Sequence, residues 1–81
     1  MENPKIDTRK DFVAFLESFH TDFVQKGNDW KNHDLESFLE ALSRYAEDLV
    51  GYYKNMNMPI DPDKPSWQVL ADMLMGARIY E

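Results

Sequence analysis

The sequence predicts an all-α fold, a small bundle of three main helices with a proline-rich loop before the last helix. Apolar residues recur at spacings of three and four along three segments. No stretch alternates β-branched and polar residues as a strand does. Three of the four prolines fall within residues 55–65. Because 81 residues cannot build two separate cores, residues 1–81 are predicted to form a single helical domain.

The first helix is predicted over residues 8–26, after a flexible arm at residues 1–7. Thr8 is the expected N-cap, and Asp11 occupies the acidic position of a capping box three residues later. Phenylalanines dominate one side of this helix on a wheel of about 100° per residue. Gly27 is expected to end the helix in a left-handed conformation.

The second helix, predicted over residues 33–53, carries the strongest periodic signal of the chain. Asn32 is the expected N-cap. The expected core positions are Leu35, Phe38, Leu39, Leu42, Tyr45, Ala46 and Leu49. The same phase continues through Tyr52 and Tyr53, so the helix is predicted to pass Gly51.

The third helix is predicted over residues 66–80, with Ser66 as its N-cap. Trp67 follows the cap in phase with an apolar arc, so we expect it to close the core rather than to form an exposed binding ring. A second apolar strip lies on another side of the helix. A helix with two apolar faces is either sandwiched within its own domain or shared with another chain.

Charge and composition narrow the classes of partner. The formal net charge is −6, and the nine basic residues are scattered, which argues against a nucleic-acid partner. The chain has no cysteine, and its polar first residues lack the apolar core of a signal peptide. We therefore expect a cytoplasmic protein that does not bind membranes and whose complement is a basic protein surface.

No constellation of residues predicts catalysis, a cofactor or a metal. His20 lies within the apolar arc of the first helix, where a half-buried histidine hydrogen-bonded to an acid or carbonyl is the expected role. The alternative is a small hydrolase that pairs His20 with Asp22 or another acid in a cleft. Asp61 and Asp63 in the loop are expected to be solvated turn residues, because the loop lacks the glycine and the bidentate Glu of a calcium site.

The acidic side of the second helix is the predicted partner-binding surface, for which we expect a basic protein. It combines a stripe of carboxylates with aromatic residues at the helix end: Glu36, Glu40, Glu47, Asp48, Tyr52 and Tyr53. The competing interpretation is a solvated helix face in which Glu40 pairs with Arg44. Near the C-terminus, Arg78 is expected to lay its stem over the core and to reach a carboxylate.

A homodimer is the alternative to a separate partner. In that hypothesis the second apolar strip of the third helix, Val69, Met73 and Tyr80, is buried across a symmetry axis and no other partner is needed. The dimer would then be structural and would have no catalytic role.

From Trp30 to Glu81 the chain resembles a family of small, functionally uncharacterised bacterial proteins. The resemblance rests on W-x-N-x-x-L-E-x-F-L-E-A-L from Trp30, GYYKN from Gly51, PSW from Pro65 and A-R-I-Y-E from Ala77. It implies a short, all-helical protein without known catalytic residues, and it implies a place for some members in bacterial toxin and immunity neighbourhoods.

Overall fold

The computed structural model describes residues 5–80, and this part of the chain folds into three α-helices. Helix α1 spans Arg9–Lys26, α2 spans Leu35–Asn55 and α3 spans Trp67–Ala77, with a short 3₁₀ turn at Gly27–Asp29 after α1. The predicted all-α fold is confirmed. Helix α2 passes Gly51 without interruption, as the periodicity predicts.

Side-chain caps fix where each helix begins. The Thr8 hydroxyl accepts the Asp11 N–H, and the Asp11 carboxylate accepts the Thr8 N–H, so the predicted capping box is confirmed. Ser66 caps α3 through the Val69 N–H, as predicted. The predicted cap of α2 is wrong, because Asp34 rather than Asn32 accepts the N–H of Ser37.

Asn32 instead holds the end of α3. Its Nδ2 donates to the carbonyl oxygens of Ala77 at 3.0 Å and Tyr80 at 2.7 Å. Its backbone N–H donates to the Arg78 carbonyl at 3.0 Å. The predicted helix to residue 80 stops at Ala77, and Asn32 is the donor to three of the carbonyls at and beyond this end.

Two predictions near the ends of α1 are wrong. Gly27 has a right-handed φ of −57° and leads into the 3₁₀ turn instead of a left-handed stop. Residues 1–4 of the predicted arm lie outside the described residues, but Ile6 is buried in the core and its N–H donates to Gln68 Oε1 at 2.7 Å. Burial of this apolar side chain ties the segment before α1 to α3.

Helix α3 is the central element. It packs against both α1 and α2, whereas no Cα atom of α1 comes within 8 Å of one in α2 along these described helices. One core cluster lies between α1 and α3 and contains Ile6, Phe15, Phe19, Trp30, Ala71 and Met75. The other lies between α2 and α3 and contains Leu49, Tyr53 and Val69, with Met58 and Ile60 of the loop packed on it.

Within residues 5–80, no helix has the length and the apolar content that crossing a membrane requires.

Candidate functional site

The acidic stripe of α2 is exposed on the outside of the helix. Glu36, Glu40 and Glu47 fall within about 40° of one another at 100° per residue, and all three are exposed. Glu40 Oε1 lies 2.6 Å from Arg44 Nη2, so the predicted pair is confirmed. Each of these two side chains is more than half exposed, so water screens the pair and its effect on stability is small. A cationic partner can compete with Arg44 for Glu40.

Exposed aliphatic side chains run beside the acidic stripe. Leu35, Leu39 and Val50 have exposed fractions of 74%, 53% and 54%. The assignment of Leu35 and Leu39 to the core is therefore wrong. Leu35 is exposed because it is the first residue of α2, which at about 30 Å is much longer than α3 at about 16 Å. Leu39 is exposed because it lies on a side of α2 that faces away from the core, whereas its neighbours Phe38 and Ala41 are half-buried and buried.

The other three predicted partner-binding residues are engaged within the chain. Tyr53 is buried in the core, so its assignment to a binding surface is wrong. Tyr52 is half-buried between the rings of Tyr45 and Tyr53, with centroid distances of 6.1 and 5.7 Å. Asp48 is exposed and accepts a hydrogen bond from the Tyr80 hydroxyl. Of the predicted partner-binding residues, the three glutamates are therefore available to a partner, whereas Tyr52 and Tyr53 are packed within the chain.

The proposed dimer strip of α3 packs inside the chain. Val69 is 3% exposed in the core beside Leu49 and Tyr53, and Met73 packs against the same cluster. Tyr80 is half-buried, with its ring 5.1 Å from that of Tyr45. Val69, Met73 and Tyr80 are thus not a free dimer face, because the second apolar side of α3 is covered by α2.

A buried carboxylate on α3 is the polar residue that sequence reasoning missed. Asp72 is buried, and its Oδ2 accepts the Tyr53 hydroxyl at 2.6 Å while Oδ1 accepts Gln68 Nε2 at 3.0 Å. Burial, followed by the hydrogen bond to Asp72, raises the pKa of Tyr53 far above its usual range. The sequence feature that could have revealed this residue is an aspartate between Ala71 and Met73, in a helix made mostly of apolar residues.

A cleft of about 690 Å³ opens beside Asp72, between the segment before α1, the loop and the start of α3. Its lining residues are Lys5, Asp7, Met58, Pro59, Ile60, Asp61, Lys64, Ser66, Gln68 and Asp72. The charges at its rim are mixed. Asp61 Oδ1 accepts the Asp63 N–H at 2.9 Å, which confirms the turn role of Asp61. Among the described residues, no group of three acidic, His or Cys side chains is placed to hold a metal ion.

The histidine predicted to be half-buried is exposed. His20 lies on the surface of α1, so the prediction of a partly buried imidazole is wrong. Residues two apart on a helix do not face each other, so α1 directs Asp22 away from His20.

Asp22 accepts Trp30 Nε1–H at 2.8 Å and lies 3.6 Å from Arg78 Nη1. The hydrogen bond from Trp30, and secondarily the Arg78 charge, lower the pKa of Asp22.

This cluster joins the end of α1 to the end of α3. The Arg78 guanidinium carbon lies 5.9 Å from the centroid of the Trp30 ring, and Arg78 Nε donates to the Met75 carbonyl at 3.0 Å. The predicted packing and carboxylate contact of Arg78 are confirmed. The geometry gives Asp22 a structural role, in which its carboxylate satisfies a buried indole N–H.

Trp67 only partly fulfils its predicted role. Its ring packs on Phe12 with a centroid distance of 5.4 Å, yet 36% of the residue remains exposed. Leu70, one turn further along α3, is 43% exposed. The helix arc expected to close the core is therefore open to solvent on one side.

Comparison with known proteins shows the family of the chain. The model of a family of unknown function, DUF7660, matches residues 8–81, and the chain belongs to that family. No curated protein and no solved structure matches it.

Proposed function

We propose that this member of the DUF7660 family is a non-enzymatic protein-interaction domain that docks on a basic protein. The observation that carries the proposal is the outer side of α2, where three exposed glutamates border exposed leucine and valine side chains. The apolar strip supplies area to bury and the carboxylates select the sign of the partner's charge.

The charge of the whole chain acts in the same direction. With a net charge of −6, the domain attracts a basic surface over a distance set by the ionic strength. Association should therefore be fast at low salt and slower as salt screens the charges. The resemblance to small bacterial proteins extends the proposal to a cytoplasmic, immunity-like domain that binds a basic toxin.

Affinity capture from an extract of the source organism tests the proposal, with the full chain as bait at low and moderate salt. We expect recovery of a basic protein whose yield falls with salt. The test variant carries Glu36→Lys, Glu40→Lys and Glu47→Lys, which should abolish capture. The matched control carries Glu17→Lys, Asp29→Lys and Asp63→Lys, exposed acids outside the α2 stripe, and has the same net charge.

The matched control separates the stripe from overall charge. Retained capture by the control and lost capture by the α2 variant would support the proposal. Equal loss in both variants would show that net charge alone drives binding, and absence of any basic protein at both salt concentrations would reject the function.

A structural homodimer is the second candidate, favoured by the same exposed apolar side chains of α2. Because Val69 is buried and Met73 is half-buried against the same core cluster, such a dimer must use another surface than the one first assigned. Sedimentation equilibrium decides it: a concentration-independent monomer rejects the dimer, and a dimer that forms without any partner rejects the basic-partner proposal.

A further inference from the structure

An open apolar face extends beyond α2 onto the other two helices. At its centre lie Trp67 and Leu70 of α3, which are 36% and 43% exposed. Leu39 and Val50 of α2 form one wall, and Leu16 of α1, also exposed, forms the other. We call these five residues the open face.

Side-chain contacts and helix phase place the five residues on one side of the domain. Trp67 lies against Phe12, and Leu16 follows Phe12 by one helical turn. On α2, Tyr45 and Tyr52 lie beside Asp72 and Gly76 of α3, and Leu39 and Val50 lie at least about 120° from both tyrosines around the axis of α2, on its opposite side. The face therefore runs from α1 across α3 to α2.

The reverse side of α3 carries packed or polar side chains. Asp72 lies about 160° from Leu70 around the helix axis and receives the Tyr53 hydroxyl. Gly76 lies on that side too, against the ring of Tyr45. The large apolar side chains that α3 exposes, Trp67 and Leu70, therefore both belong to the open face.

The charges beside the open face select its occupant. Glu36, Glu40 and Glu47 border Leu39 and Val50 along α2 and carry much of the net negative charge. A second copy of the chain would bring the same excess of −6 to the interface. A helix with an apolar stripe and a flanking row of Lys or Arg complements both the open face and its acidic border.

We infer that the open face binds a basic amphipathic helix of the partner, with its apolar stripe on Leu70 and its cations on the glutamates of α2. This inference rests on the proposed function and specifies its binding mode. The wall from Leu39 to Val50 is about 17 Å long, which matches a helix of about 11 residues.

The test uses the full chain and synthetic peptides of that length made of leucine and lysine. One peptide places the leucines at helical spacing, and a second has the same composition in scrambled order. Binding is measured by calorimetry and by the fluorescence of Trp67, the more exposed of the two indoles. We expect the amphipathic peptide to bind and to shift the emission to the blue, and the scrambled peptide to bind weakly.

Two single variants locate the site. Leu70→Ser should weaken binding about tenfold, because it removes the apolar side chain at the centre of the open face. The matched control is Ile79→Ser, since Ile79 is exposed but borders the small cavity beside Tyr45 and Gly76, on the side of the domain opposite the open face. The control should bind as the wild type does, and circular dichroism verifies that both variants are folded.

Each other outcome overturns the inference. Equal binding of the two peptides, or unchanged affinity in Leu70→Ser, would show that charge attracts the peptides and that the open face does not bind them. The proposed function would still stand. A dimer in sedimentation that Leu70→Ser dissociates would make a second copy the occupant. Capture of a basic protein together with failure to bind either peptide would support the function and reject this binding mode.

Discussion

At the scale of single residues, two helical glycines differ in what surrounds them. A Cβ built on Gly76 would collide with the ring of Tyr45, whereas one built on Gly51 meets no atom within 4 Å. Both glycines have helical neighbours on each side. Gly76 is thus required for the close approach of α3 to α2, and Gly51 is not required by packing.

We therefore predict opposite effects of the same substitution. Gly51→Ala should stabilise the domain by up to about 1 kcal/mol, because alanine is the better helix former. Gly76→Ala should destabilise it by about 1–2 kcal/mol, since overpacking against Tyr45 outweighs that gain. Urea unfolding of the two variants checks the prediction, and equal shifts of the midpoint would contradict it.

The hydrogen bond between Tyr53 and Asp72 is the second residue-scale feature. Tyr53→Phe removes the hydroxyl that donates to a buried carboxylate. Because Asp72 then loses the Tyr53 donor and keeps the one from Gln68, we predict a loss of about 1–3 kcal/mol in the free energy of unfolding. Urea unfolding measures it at neutral pH. A loss below about 0.5 kcal/mol would show that water replaces the hydroxyl.

At the scale of elements, Asn32 connects the start of α2 to the end of α3. We predict that Asn32→Ala costs about 1–3 kcal/mol, because it strips two backbone carbonyls of their donor. Asp34→Ala, the matched change at the actual N-cap, should cost about 1 kcal/mol. Hydrogen exchange separates the two effects: the first variant should speed exchange at residues 78–80 and the second at the start of α2.

At the scale of the whole molecule, buried tyrosines make stability depend on alkaline pH. Burial, as the main cause, raises the pKa of Tyr45 to about 12, and the pKa of Tyr53 is raised further. An unfolded tyrosine ionises near pH 10. The folded state therefore holds protons that the unfolded state releases, and stability that is complete below about pH 10 is lost as the pH rises toward the folded pKa values.

We predict a fall of up to about 1.4 kcal/mol per pH unit for each of these tyrosines above pH 10. Urea unfolding between about pH 8 and pH 11.5 gives the slope. Tyr45→Phe should flatten it, because phenylalanine has no proton to release. A stability that is constant across this range, or one that rises, would contradict the assignment of Tyr45 and Tyr53 as buried hydroxyls.

The helices themselves follow from the amino-acid sequence. Apolar spacing fixes the three segments, and the local capping signals of Thr8 and Ser66 fix where α1 and α3 begin, because these interactions involve residues three or four apart. The Glu40–Arg44 pair is predictable for the same reason. In the candidate site, these local signals predicted the position of the three exposed glutamates on one side of α2.

Tertiary structure alone decided which apolar side chains are covered. Helix periodicity marks Leu35 and Leu39 as apolar but gives no length or angle for the helix packed on them, so their exposure appears only when the shorter α3 is in place. Tyr53 and Val69 were predicted to face a partner or a second copy, and the packing of α2 on α3 buries them instead. In the sequence, Asn32 is simply a polar residue that precedes α2. Its hydrogen bond to the carbonyl of Ala77, 45 residues further along the chain, forms only because the end of α3 packs beside it.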